Sequence, residues 1–374
     1  MLRLYYFSGT GNARSVATWI ATVWRAYGRE AELVDLARIE PRRIHIDAED
    51  EVGILSPTHG FNLPPITLSF LAALPRAPKA NRVFVVNTRA GVRLFGVCLP
   101  GLSGVAQIAA ASILAMKGYR VVGMRPIDLP SNWISLHPGL REDNIRVLHE
   151  RCAKITQRFA ERMLRGQRDF RALWDLPIDL LIAPISLGYY CVGRFLFAKS
   201  FVATRDCDRC GRCVKQCPVK ALEWVDQRPF WTWRCESCMR CMNHCPKRAI
   251  ETAHGFIIAL PILFSLALSW VVAKVLPNWL PAWALRIYRI ELVSMVVEPA
   301  LMLAFVFVAY RILHRAMQVS LIERAVVATS LTHFDFWRRY RPTREQVSAA
   351  GTKAALEIPR EDAEAATAHV VERR

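Results

Sequence analysis

Short apolar runs alternate with amphipathic stretches in the first third of the chain, whereas the later part carries long runs with almost no charge. Leu2 to Tyr6 is apolar and leads into Ser8-Gly9-Thr10-Gly11-Asn12, after which Ala13 to Tyr27 has apolar residues at helical spacing. This is the pattern of strand, tight turn and helix. Val52 to Leu55, Val83 to Val86 and Tyr119 to Met124 are short apolar runs of the kind a fully buried parallel strand needs. Between them Pro65 to Leu74 and Leu102 to Met116 are helical, so the alternation predicts an α/β sandwich on a doubly wound parallel sheet within residues 1–145. Residues 143–165 read as an exposed charged helix, largely inside a helical connector at 146–200. The stretch 178–198 is apolar but broken by Pro184, Gly188 and Arg194. It could span a bilayer by length, yet that would put the first domain and the segment after it on opposite sides. It is therefore expected to be a buried or interfacial helix pair.

Two later runs, Gly255 to Ala273 without a charge and Leu292 to Tyr310 with Glu298 alone, are each just long enough to cross hydrocarbon as a helix. They predict a transmembrane helical hairpin within 253–312, followed by a basic tail at 313–374. Trp270, Trp279, Trp283 and Tyr288 cluster around the connection, as interfacial aromatics do. Lys247 and Arg248 precede the hairpin and Arg311, Arg315 and Arg324 follow it, against Lys274, Arg286 and Arg289 in the connection. The bias places both ends, and hence the N-terminal domains and the tail, in the cytoplasm. From about Thr343 onward the chain is rich in Ala, Glu, Arg and Thr and predicts a loose helix or disorder.

Composition agrees with a membrane segment: 53% of the residues are hydrophobic and mean hydropathy is +0.17 despite 22% charged residues. The formal charge of +18 admits nucleic acid, an anionic membrane surface or an acidic partner. No recognition helix, RNA-binding signature or basic stripe interleaved with aromatics is visible, so a lipid surface is favoured and nucleic acid is excluded from the expected partners. The N-terminus lacks the pattern of a cleaved signal, which keeps the first domain in the cytosol.

Eight of the eleven cysteines crowd into residues 207–245, where metal binding is favoured over disulfides. They form two runs of C-x2-C-x2-C-x3-C-P: Cys207, Cys210, Cys213, Cys217 and Cys235, Cys238, Cys241, Cys245. The runs repeat at an offset of 28, with Ala221-Leu222-Glu223 matching Ala249-Ile250-Glu251. Three thiolates on a tight loop hold three irons of one cubane, and the fourth cysteine is sent to the other cluster. Cys207, Cys210, Cys213 and Cys245 are thus expected on one [4Fe–4S] cluster, and Cys217, Cys235, Cys238 and Cys241 on the second. A structural zinc site has no use for the third cysteine of each run. Residues 205–251, within a domain at 201–252, resemble the bacterial-type two-[4Fe–4S] ferredoxins, small α+β domains whose clusters are one-electron carriers. Cys98, Cys152 and Cys191 stand apart and read as small buried hydrophobes.

The turn after the first strand has the logic of a phosphate cradle: glycines admit the backbone, the helix start offers N–H groups, and Ser8, Thr10 and Asn12 add side-chain donors. It lacks the G-x-G-x-x-G of a dinucleotide site. Here the chain resembles the flavodoxins, whose corresponding turn binds the phosphate of FMN while two further loops flank the ring. The resemblance implies FMN contacts at Ser8, Gly9, Thr10, Gly11, Asn12 and Ala13, at Pro57, Thr58, His59, Gly60 and Phe61, and at Asn87, Thr88, Arg89, Ala90 and Gly91. Flavodoxins commonly sandwich the ring between aromatics, and Phe61 is the one obvious candidate here.

A flavodoxin-like domain followed by a two-cluster ferredoxin domain resembles the fused flavodoxin–ferredoxin proteins of the EFR1-type ferredoxin family over residues 1–252, including Pro130-Ser131-Asn132-Trp133 and Pro229-Phe230-Trp231. The membrane hairpin is an addition to that pattern. The expected function is electron relay between FMN and two [4Fe–4S] clusters in the cytoplasmic membrane, fed by a protein donor such as a ferredoxin or reductase. Delivery to a membrane-embedded acceptor, a quinone or lipid-like substrate, stands beside a pure carrier that docks a separate enzyme, with a redox sensor as a third reading. Glu298, beside Pro299 in mid-span, is either a proton or quinone-headgroup ligand, and so the candidate catalytic residue, or a glutamate paired at a helix contact. His59 and His254 read as solvated or capping groups.

Overall fold

Strand β1 (Leu2–Tyr6) pairs in parallel with β2 (Ala31–Asp35) on one side and β3 (Glu51–Pro57) on the other. β3 continues to β4 (Arg82–Leu94), and β4 to β6 (Arg120–Pro130), both in parallel. The parallel order β2-β1-β3-β4-β6 is the flavodoxin-like doubly wound arrangement. A short strand β5 (Val97–Leu99) folds back antiparallel on the end of β4. The structure, a computed structural model, describes residues 1–40, 44–279, 281 and 291–337. They form two units: Met1–Ile134 with Gly139–Leu187, and Ser135–Pro138 with the chain from Gly188 onward.

Alternation along β1 explains the two faces of the sheet. Leu2, Leu4 and Tyr6 join a core with Val16, Trp19, Ile20 and Trp24 of α1 (Asn12–Ala26), while Tyr5 points the other way and meets Phe70 of α2 (Pro65–Ala73) at 5.0 Å. Helix α3 (Ala106–Met116) adds Ala110 and Leu114. The helix expected to be exposed and charged is α4 (Glu142–Leu164), and it belongs to this unit. Its charges occupy one face, while Leu148, Cys152, Phe159 and Met163 are buried at helical spacing, Phe159 edge-on to Phe84 at 5.5 Å.

Three further expectations are corrected. The chain at Asn87–Gly91 is strand, not loop, because β6 runs alongside it rung by rung as far as Gly91 and Pro130. Cys152 is buried, but Cys98 is half-buried and Cys191 exposed. The stretch 178–198 is part of a bent pair of helices, Arg171–Leu181 and Ala183–Ala198, at 74° to each other. Ile178, Leu180, Leu181, Ile185 and Leu187 of this elbow are exposed, which removes the buried alternative and leaves the interfacial helix pair. β2 and β5 escaped the sequence reading, being short and, in β2, interrupted by Glu32 and Asp35.

In the second unit β7 (Phe201–Ala203) pairs with β10 (Ile250–Thr252), and β8 (Leu222–Val225) with β9 (Arg228–Trp231), all antiparallel. Two helices, His254–Trp279 and Val293–Ala316, have mean hydropathy 2.4 and 2.0 and are long and apolar enough to cross a membrane. After the second span the described chain runs on to Trp337. Its helix Ser320–Ala328 sends the buried Glu323 to Arg205 and Arg228, and Thr332 and Ser330 donate to the buried Glu251. Trp283, Arg286, Tyr288, Arg289 and the segment from Thr343 onward lie outside the described residues.

Candidate cofactor sites

The cysteine repeat becomes a backbone repeat. Residues 28 apart share left-handed conformations: Arg209 and Ser237 at φ 59° and 51°, Gly211 and Met239 at 71° and 61°, Lys220 and Arg248 at 50° and 52°. Such φ values are uncommon outside glycine, and here they wrap each loop tightly enough for its cysteines to converge. Hydrogen bonds repeat as well: Thr204 N donates to Ala249 O and Thr232 N to Ala221 O, both at 2.8 Å. Ala221 N donates to Cys217 Sγ at 3.2 Å and Ala249 N to Cys245 Sγ at 3.4 Å.

Electrostatics sorts the thiols into two sets. Burial raises Cys207, and Cys245 and Cys210 raise it further. Burial pushes Cys213 up to about 11, again with Cys207, Cys245 and Cys210 adding to the effect. In the second set burial pushes Cys238 up to about 12 and raises Cys235 and Cys241, and Cys217 acts on all three. Cys245 therefore lies with the first run and Cys217 with the second. The thiols of Cys207, Cys213, Cys235, Cys238 and Cys241, buried or half-buried beside other thiols, are costly to ionise alone, and metal ligation as thiolate removes that cost. Trp231 Nε1 is buried with no oxygen or nitrogen acceptor, and its N–H favours the ionised form of Cys241. An iron–sulfur cluster fits this donor set and this orphaned N–H.

At the other site, Gly11 takes φ 118° as the cap of α1, a conformation glycine adopts without strain. The first turn holds no acidic residue and no side-chain cap, so its N–H groups and the positive helix end suit an anion. Two polar side chains of the turn, those of Ser8 and Asn12, are otherwise engaged. Ser8 Oγ accepts from Gly11 N at 3.1 Å, and Asn12 Nδ2 donates to Pro130 O at 2.8 Å. Asn12 thus ties the turn to β6 through its amide N–H, while its Oδ1 is a buried acceptor with no partner among the described residues. An open helix end and an unused acceptor fit a phosphate ester carrying hydroxyls.

Pro57 ends β3, and beyond it His59 and Asn62 exchange backbone hydrogen bonds of 2.8 and 3.1 Å around a two-residue turn. Gly60 and Phe61 at its tip have φ 53° and 64°, and Phe61 O accepts from Val105 N at 3.0 Å. Gly104 makes this possible, since a Cβ there would overlap the Phe61 backbone. Below the turn Thr58 Oγ1 accepts from Asn87 Nδ2 at 2.6 Å, and Asn87 Oδ1 accepts from Gln107 Nε2. Thr88 is level with Pro57 across the sheet, so Arg89, Ala90 and Gly91 run past the end of β3.

Arg89 is buried and bound to Asp128 at 2.5 Å and Asp175 at 2.6 Å, which raise its pKa against the opposing effect of burial. It borders a cavity of about 230 Å³ with Arg125, Asp128, Cys152 and Asp175, which none of residues 8–13 or 57–61 lines. Its guanidinium is a structural clamp on that side. Glu298 is exposed on the second span, and Arg286 and Arg289, its possible partners, fall outside the described residues. Sequence reasoning missed the Glu323–Arg205–Arg228 clamp, in which Glu323 lies 118 and 95 residues from the two arginines and no motif marks the set.

Residues 206–250 match the family described as a 4Fe-4S dicluster domain. No curated protein matches the chain. Among solved structures, flavodoxin 1 from Bacillus cereus is 20% identical, covering 43% of this chain and 97% of that one, with a TM-score of 0.30. The flavodoxin of Megasphaera elsdenii is 21% identical over 41% of this chain and 99% of that one, TM-score 0.29. A rubredoxin oxygen:oxidoreductase from Desulfovibrio gigas is 17% identical over 43% of this chain and 36% of that one, TM-score 0.28. With scores this low the fold rests on the strand order itself. The chain fuses a flavodoxin-like α/β unit to a 4Fe–4S dicluster domain, a combination that supports electron transfer.

Proposed function

We propose that the chain is a membrane-anchored electron-transfer protein of the fused, EFR1-type flavodoxin–ferredoxin kind, relaying electrons between FMN and two [4Fe–4S] clusters. A flavin exchanges electrons in pairs or singly and each cluster carries one, so the set converts electron number. The backbone of Ser8–Ala13 holds the phosphate, and the Pro57–Phe61 turn and the Asn87–Gly91 strand flank the ring. Cys207, Cys210, Cys213 and Cys245 hold one cluster, and Cys217, Cys235, Cys238 and Cys241 the other. A ferredoxin or reductase supplies the electrons.

One observation carries the choice of a membrane acceptor. The second cysteine set abuts the C-terminal end of the second span: Tyr310 Oη donates to Phe201 O at 2.9 Å and accepts from Trp231 N at 3.4 Å, and His314 Nε2 lies 3.0 Å from Val225 O. Electrons on that set are thus at the end of the hairpin, which supports delivery to a quinone or lipid-like substrate. Both redox units and the chain end lie on the cytoplasmic side of the cytoplasmic membrane, a reading supported by the basic residues that flank the two apolar runs.

The test is the anaerobically purified full chain in lipid nanodiscs. It should carry about eight irons and stoichiometric FMN, and once reduced it should reoxidise with a lipid-soluble quinone analogue without added protein. Zinc or FAD at stoichiometry defeats the cofactor assignment, and reoxidation that needs a soluble protein turns the chain into a carrier. Glu298→Gln should slow the quinone step with cofactors intact; unchanged turnover returns Glu298 to a structural role.

A further inference from the structure

Lys199 is 1% exposed, and no carboxylate among the described residues forms an ion pair with it. Its Nζ donates to Trp231 O and lies 4.8, 4.8 and 4.7 Å from the ring centroids of Phe230, Phe307 and Tyr310. Trp231 in turn faces Cys241. Burying an ammonium group is expensive, and three aromatic faces return only part of that cost. Leucine or methionine would fill such a shell with less penalty. The charge itself therefore calls for an explanation.

The internal repeat supplies a comparison. Trp231 corresponds to Ala203, 28 residues earlier, and Ala203 O also accepts from a cation, Arg228 Nη1 at 2.8 Å. Arg228 is neutralised, however, by Glu323 at 3.1 Å. The position equivalent to Lys199 itself is Gln227, which shares a cavity with Cys207. Each half thus places a cation on the same carbonyl, but only beside the Cys235 set is that cation without a carboxylate in contact. The charged groups facing Lys199 are the Cys235 thiol, Glu223 and Arg311. Burial lowers its pKa to about 8, opposed by Cys235, which leaves it mainly protonated at neutral pH.

We propose that Lys199 raises the reduction potential of the cluster held by Cys217, Cys235, Cys238 and Cys241 above that of its pseudo-symmetric partner, so that electrons settle on the cluster beside the membrane span. An added electron increases the negative charge on the cluster, and an unneutralised cation in a low-dielectric shell favours that state. The inference rests on the cofactor assignment proposed above.

The experiment is a redox titration of the full chain in nanodiscs, each cluster followed by its paramagnetic signal, after iron content has been measured. Lys199→Gln should lower the potential of the downstream cluster by about 59 mV or more, a tenfold change in a one-electron equilibrium, and leave the upstream one in place. Lys199→Arg should retain the potential. Glu323→Gln, which unmasks Arg228, should raise the upstream cluster alone, and it decides the matter if Lys199→Gln fails to assemble. Two normal clusters whose potentials ignore both Gln substitutions, or move together, overturn the role of Lys199. Absence of iron–sulfur signals from the unsubstituted protein overturns the cofactor assignment instead.

Discussion

In the cysteine module the groups suited to the ligand are side chains, eight thiols sorted into two sets by short loops and a 28-residue repeat. At the Ser8–Ala13 turn the groups suited to the ligand are backbone N–H donors, and the side chains of Ser8 and Asn12 fasten the turn to itself and to β6. A site made of covalent ligands fails when one is removed. A site made of backbone has no single side chain to lose, so substitutions around it should act in graded fashion through the positioning of the chain.

The largest effect is expected in the first kind of site. Cys217→Ala should remove the cluster associated with Cys235, Cys238 and Cys241, about half of the iron, while the signal of the Cys207 set survives and FMN stays bound. Loss of the upstream signal alone would show that each run is self-contained and dissolve the crossed arrangement. Next comes the clamp beside the flavin-type site. Arg89→Leu leaves Asp128 and Asp175 without their shared cation and should destabilise the first unit by about 3 kcal/mol, read as a lower urea midpoint. Iron content should not change, because Arg89 has no counterpart among the cysteine loops.

A smaller effect follows from Glu323, whose carboxyl is held below its ordinary 4.5: burial opposes this, but hydrogen bonds from Arg205 and Arg228 prevail. A carboxylate with a lowered folded-state pKa stabilises fully above the ordinary value, and the contribution is lost as pH falls through the lowered one. Limited proteolysis of the segment 320–337 should therefore be faster in Glu323→Gln than in the unsubstituted chain at neutral pH. The two rates should converge as pH drops below about 4.5. The smallest effect belongs to Asn12→Ala, which removes one buried hydrogen bond worth about 1 kcal/mol. It should weaken FMN binding several-fold without abolishing it. Complete loss of flavin would mean that the side chain, and not the backbone, makes the site.

Much of this was legible from local pattern. The cysteine spacing, the offset of 28, the strand–turn–helix at Leu2–Tyr27 and the two apolar spans are all written within windows of a few dozen residues, where periodicity and ligand geometry act directly. The strand at Asn87–Gly91 was not, because Thr, Arg and Gly after a buried run look like a loop. What keeps them extended is β6, reached only after some 30 further residues. For the same reason α4 passed for an exposed connector: its apolar stripe is narrow beside its charges, and only the sheet beneath it shows which face counts.

The sequence by itself determined which residues can bind metal, which runs can enter a membrane and where the first phosphate-type turn lies, since each depends on residue type at short spacing. Tertiary structure alone decided how partners far apart in the chain are spent. Arg89 goes to Asp175, Arg205 and Arg228 go to Glu323, and Lys199 reaches Trp231 among the aromatic rings of the second span. A charge is free to choose any partner within a few ångströms, and sequence spacing does not measure that distance.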